Sequence, residues 1–177
     1  MAYGVSIMEG DFDGDGDDEI VIHAGAGFPM ILDGDGSRLR FLSPLTFGVF
    51  NETDEIIMGV LAGNYSIGDL RGNGRLCVTS AGVGSRFALQ VLFPGERIPT
   101  DALVNAWYAD TGQRLFDWPL PIEDMQFSGD QAIADIDGDA LPEVIEGSAG
   151  SYVHAFDYRG REPEVHWGLD SLFGRCR

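Results

Sequence analysis

Cysteine is nearly absent: Cys77 and Cys176 are the only two in 177 residues. Two thiols exclude a disulfide framework or a self-contained zinc cluster, leaving either one bridge or two unrelated thiols. Basic residues are scarce as well, 11 against 29 acidic, for a net charge of -18 and a pI near 4.2. So negative a surface repels nucleic-acid phosphates and anionic membranes and attracts cations, so no nucleic-acid partner is expected. No stretch reaches the ~20 apolar residues of a membrane-spanning helix, so no membrane insertion is expected either. The opening MAYGVSIMEGD lacks the basic and apolar regions of a signal peptide, which fits a cytosolic chain or a piece of a longer exported one.

Catalytic signatures are missing too. GSAGS and GVGSR do not make a G-x-S-x-G elbow, no G-x-G pair reaches the third glycine of a dinucleotide loop, and G-K-[ST] does not occur. The histidines, His23, His154 and His166, are scattered without H-E-x-x-H spacing, and the first and second fall in predicted strands. Trp107, Tyr108, Trp118, Tyr152, Phe156 and Trp167 read as packing residues, with sugar stacking as the alternative. Asn51 and Asn64 stand in glycosylation sequons, which matter only in a eukaryotic secretory pathway.

What the chain has in quantity is glycine, 25 residues, placed between short apolar runs. That pattern predicts many turns and short strands. EIVIHA, FPMIL, LCVTSA, FALQVLF, VNAWYA, EVIEGS and YVHAF are the predicted strands, each bounded by Gly, Asp, Asn or Pro. Helical periodicity is confined to Asn51–Leu61, which predicts either a short helix or a loop entering a strand.

Three segments repeat: GDFDGDGDDEIVIHAGAG from Gly10, GDLRGNGRLCVTSAGVG from Gly68 and ADIDGDALPEVIEGSAG from Ala134. Each begins with an aspartate (Asp11, Asp69, Asp135), continues through a turn-rich loop and enters an apolar strand. A second landmark follows each: DGDG at Asp33–Gly36, ADTG at Ala109–Gly112 and DYRG at Asp157–Gly160, all read as hairpin turns with a left-handed glycine. Gly36 and Gly160 both stand 25 residues after their opening aspartate, whereas the middle unit carries about 18 extra residues, placed between Val83 and Asp101. Units of this size with three or four strands match propeller blades. The expectation is one all-β repeat domain over 1–177, with approximate repeats 1–50, 51–118 and 119–177. About three blades would make a partial or fragmentary propeller, associating with further blades or another copy, since rings usually hold four to eight.

The acidic loops carry the chemistry. In the first, Asp11, Asp13, Asp15 and Glu19 fall at positions 1, 3, 5 and 9, with the Asp17 carbonyl at position 7 and Asp18 a bystander. Alternate oxygens on a curled loop can converge on calcium, which takes six to eight hard oxygen ligands. The third loop supplies Asp135, Asp137, Asp139, the Leu141 carbonyl and Glu143, with Ala140 where a glycine is expected. An EF-hand is excluded for the first loop because its position 12 is Ile22; Glu146 holds that position in the third, but LPEVIEGS reads as a strand. The bland alternative for DFDGDGDDE is a solvated acidic turn. In the middle loop Arg71 and Cys77 replace ligands, and Arg71 is expected either to take the cation's place against Asp69 or to face solvent.

The motif at Asp11–Ile20, its variant at Asp135–Val144 and its degraded form at Asp69–Val78 resemble the FG-GAP repeat of integrin-α-like propellers, also seen in VCBS-type repeat proteins. YVHAFDYRG and VNAWYADTG match that blade's later hairpin. The resemblance implies propeller blades, structural calcium, and extracellular or cell-surface binding or adhesion toward a protein or carbohydrate ligand. The alternative is part of a polysaccharide lyase or hydrolase on a propeller scaffold. The end of the chain, EVHWGLDSLFGRCR, falls where a further blade would follow, which fits truncation.

Overall fold

The computed structural model describes residues 7–22, 30–37, 39–42, 49–50, 55–56, 65–83, 102–122, 131–147 and 153–163. The predicted strand FALQVLF, His23, His166, Tyr152, Trp167, Cys176, Asn51 and Asn64 lie outside them.

The described residues are all-β, as expected, and fold as antiparallel meanders. The first sheet comprises β1 (Ile7–Gly10), β2 (Glu19–Ile22), β3 (Met30–Leu32) and β4 (Leu39–Phe41), each strand pairing with the next. β5 (Val49–Phe50) and β6 (Glu55–Ile56) form a two-stranded pair. Of the two expectations for Asn51–Leu61, the described residues therefore take the strand. An eleven-residue helix is marginal without packing, and β-branched Ile56 favours an extended backbone. The second sheet contains β7 (Tyr65–Gly68), β8 (Cys77–Val83), β9 (Ala102–Tyr108) and β10 (Leu120–Ile122), which carries it beyond residue 118. The third contains β11 (Ala132–Ala134), β12 (Glu143–Gly147) and β13 (Val153–Phe156). Val83 pairs with Ala102, so the extra residues of the middle unit lie between β8 and β9, where the spacing placed them.

The second sheet is buried on both faces, and period-two alternation sorts its side chains. Val78, Trp107 and Tyr65 join Phe12, Val21, Ile31 and Leu42 of the first sheet in one core. Cys77, Ala81, Val104 and Ala106 join Val144 and Phe156 of the third sheet in another. Trp107 is wholly inaccessible, and Trp118 and Phe156 are buried edge to face at 6.4 Å, so these aromatics are core, as expected. Each fully buried large apolar side chain contributes about 1.5–3 kcal/mol. Polar contacts tie the second sheet to the third as well: Ser66 Oγ donates to the Gln131 carbonyl at 2.6 Å.

The three predicted hairpin turns form, with Gly36, Gly112 and Gly160 at φ 72°, 68° and 73°. Among the described residues no helix is long and apolar enough to cross a membrane.

Candidate metal centre

Each acidic loop joins the first two strands of its sheet. The residue before position 1 pairs across the ladder with position 9: Gly10 with Glu19, Gly68 with Cys77, Ala134 with Glu143. The loop ends are thus clamped at one length in all three copies. Position 2 anchors two of the loops from below, because Phe12 and Leu70 are buried in the two cores.

Within that frame the position 1 carboxylate organises the backbone. Asp11 accepts the N–H of Gly14 at 2.7 Å and of Gly16 at 3.2 Å. Asp135 accepts those of Gly138 at 2.7 Å and Ala140 at 3.0 Å. Asp69 accepts those of Arg71 and Gly74 at 3.1 and 2.6 Å. The position 5 side chain then receives the position 7 N–H: Asp17 to Asp15, Arg75 to Asn73, Leu141 to Asp139. Curling this tightly needs left-handed backbone at positions 4 and 6. Gly14 and Gly16 have φ of 82° and 96°, Gly72 and Gly74 63° and 82°, and Gly138 85°. Ala140 holds the sixth position at φ 72°, where its Cβ is strained. Ala140→Gly is therefore expected to stabilise the protein by about 1 kcal/mol, read as a higher urea midpoint at unchanged slope.

Position 9 closes the loop from inside. Glu19 is 1% exposed, and its Oε2 accepts the N–H of Phe12 at 2.7 Å and of Asp13 at 3.3 Å. Glu143 is equally buried and accepts the Ile136 N–H at 3.0 Å. Burial pushes the Glu143 carboxyl above its ordinary range, and Asp137, Asp139 and Asp135 add repulsion, partly offset by that hydrogen bond.

Three groups of carboxylates bring oxygens within 4.8 Å of one another: Asp11, Asp13 and Asp15; Asp13, Glu19 and Asp33; Asp135, Asp137 and Glu143. Two oxygens on one calcium stand at most about 5 Å apart, twice the metal–oxygen distance, so the spacing fits. The donors are all hard oxygens, which suits calcium and not a thiophilic metal. Asp139 is not in the third group, and Asp17 and Leu141 sit at the same place in their loops. Asp33 escaped the sequence reading, which took DGDG only for a turn. That turn folds back onto the first loop, so that a Cβ at Gly34 would clash with the Asp18 carbonyl oxygen. Strands flank every loop, which removes the EF-hand, and Glu146 lies in β12 opposite His154.

The middle loop corrects one expectation. The Arg71 guanidinium does not take the cation's place: it donates to Tyr108 Oη at 3.0 Å and lies 5.3 Å from the Tyr158 ring centre. Both Asp69 oxygens are already taken by backbone N–H groups. Burial alone would raise the Asp69 carboxyl, but those hydrogen bonds outweigh it and hold it below the ordinary range. The ion pair in this region belongs to Arg75, which grips Asp110 with two bonds of 2.7 and 2.8 Å and stacks 3.6 Å over Tyr108. Cys77 replaces the closing glutamate as a buried free thiol, pushed up to about 11 chiefly by burial. It is expected to resist iodoacetamide at about pH 8 until the protein unfolds, which mass spectrometry of alkylated peptides checks.

His154 is buried in β13, stacked on Phe156 and 2.8 Å from Glu162 Oε1.

No family model matches this chain, and no curated protein matches it. Among solved structures it is similar to the crystal structure of the V. cholerae biofilm matrix protein Bap1, at 17% identity and a TM-score of 0.35. The match covers 89% of this chain and 27% of that one, so the chain spans little more than a quarter of that protein's length.

Proposed function

We propose that this chain is a calcium-stabilised set of β-propeller-type blades that presents loops for binding an extracellular protein or glycan. The observation that carries the metal half is the recurrence, in the first and third loops, of one hydrogen-bonded scaffold with converging carboxylates around it. Asp11, Asp13, Asp15 and Glu19, joined by Asp33, would hold one ion. Asp135, Asp137 and Glu143 would hold the second, with Asp139 turning inward and the Asp17 and Leu141 carbonyls completing the shells. Calcium there supplies charge neutralisation: it would replace repulsion between carboxylates with bonds that fasten the first two strands of a sheet.

Three meander sheets, the middle one packed on both faces, support the blade reading. Further blades, from a longer chain or a second copy, would complete the ring. Extracellular modules bind calcium with dissociation constants on the order of 0.1–1 mM, a range that fills the loops outside a cell. Thermal unfolding in calcium and in chelator tests the reading; identical midpoints would refute it.

A further inference from the structure

The arginine that left the metal position lines a cleft of about 240 Å³ at one end of the second and third sheets. Arg71 enters from the middle acidic loop, Tyr108 from the end of β9, Phe116 and Asp117 from the segment before β10, and Tyr158 and Arg159 from the turn after β13. Leu115, buried in the core, closes its floor.

Its charge runs against the rest of the molecule. The protein carries -18, yet two guanidinium groups meet at one ring: Arg71 and Arg159 lie 5.3 and 5.0 Å from the Tyr158 centre, and Arg159 Nε donates to Tyr158 Oη at 2.6 Å. Their neighbours are neutralised, Arg75 by Asp110 and Arg161 by Asp157. Among the described residues Arg71 and Arg159 pair with no carboxylate. Phe116, beside them, is 88% exposed, and Asp117 directly after it holds φ at 69°, a left-handed conformation that aspartate adopts more readily than most residues.

Each lining group selects for one property of a ligand. Each forked guanidinium group selects a carboxylate. A bare phenyl ring offers a face to an apolar ring surface. The Asp117 carboxylate accepts hydrogen bonds, so it favours hydroxyl donors and disfavours a purely anionic ligand. A hexuronic acid combines the three: a ring with an apolar face, several hydroxyls and one carboxylate. We propose that this cleft binds a uronate residue of an acidic polysaccharide. The proposal narrows the ligand half of the function above and does not depend on the metal half.

Retention on immobilised polygalacturonate by the full chain, in calcium-containing buffer, tests it. The wild-type protein is expected to bind and to be released by salt, because the contacts are partly exposed. Arg71→Ala/Arg159→Ala is expected to bind about tenfold or more weakly, given what hydrogen bonds to charged groups contribute. Phe116→Ala should bind several-fold more weakly, while Arg161→Ala should match wild type. Arg71→Lys/Arg159→Lys keeps the charge but loses the fork, and should fall in between; equal circular dichroism spectra certify that the variants fold. Neutral dextran should not retain the protein, and polyglutamate should retain it less than polygalacturonate. Three results overturn the proposal: no retention on polygalacturonate, equal retention on polyglutamate, or unchanged retention of the double alanine variant. The last would mean that calcium merely bridges two acidic polymers. A lost calcium shift with Arg71-dependent retention would instead defeat the metal reading and leave this cleft standing.

Discussion

Glu19→Ala is expected to lower the unfolding free energy by about 2–4 kcal/mol even in chelator, a large share of a small domain's stability. Two effects of opposite sign compete. Truncation removes a negative charge from beside Asp13 and Asp33, which is favourable. It also strands the N–H groups of Phe12 and Asp13, which Glu19 accepts deep in the loop at 1% exposure. Asp11 and Asp15 are exposed and Asp13 and Asp33 half-buried, so salt and water screen the repulsion. The buried Phe12 donor has no such relief, and its desolvation wins. Glu19→Gln separates the parts. It keeps an oxygen to accept the Phe12 N–H, so in chelator it should cost well under half of the alanine loss, yet it removes a negative charge that the proposed ion would use. Urea titration of both variants checks this; an alanine variant within about 0.5 kcal/mol of wild type would show that the closing glutamate holds nothing.

Saturating the loops with calcium is expected to raise the unfolding midpoint by roughly 10 °C relative to chelator. With dissociation constants of about 0.1–1 mM, 10 mM calcium gives roughly 1.4–2.7 kcal/mol per site by mass action. Two sites give about 3–5 kcal/mol, and a chain of this size gains about 2–4 °C per kcal/mol. Matched ionic strength from sodium chloride should reproduce little of the shift, because screening weakens repulsion without building a bond. Magnesium should also fall short, since it gives up its waters reluctantly and demands an octahedral shell. Asp13→Ala should remove the larger part of the first site's share, because Asp13 belongs to both carboxylate groups of that loop.

The features that were legible in the sequence are those fixed by local chemistry. A left-handed backbone at Gly36, Gly112 and Gly160 follows from turn rules, and alternating aspartates between glycines declare a curled loop. The strands beside those loops follow for the same reason. What distance in sequence hides was not legible. Asp33 reaches the first loop only because β2 and β3 form a hairpin that carries the next turn back to it. Arg71 looked like a substitute cation because Asp69 is its neighbour, but its partners, Tyr108 and Tyr158, come from β9 and from the turn after β13. The partnership of Arg75 with Asp110 is hidden in the same way. Asn51–Leu61 failed to decide between helix and strand because so short an amphipathic pattern is settled by what it packs against.

The central claim is that two loops of one design each hold one divalent cation. Calorimetric titration of calcium into the chelator-stripped wild-type protein, Glu19→Gln and Asp137→Asn measures it most directly. Two equivalents are expected to bind the wild type and one to each variant. Absence of calcium binding to the wild type, or stoichiometry that neither substitution changes, would contradict the claim.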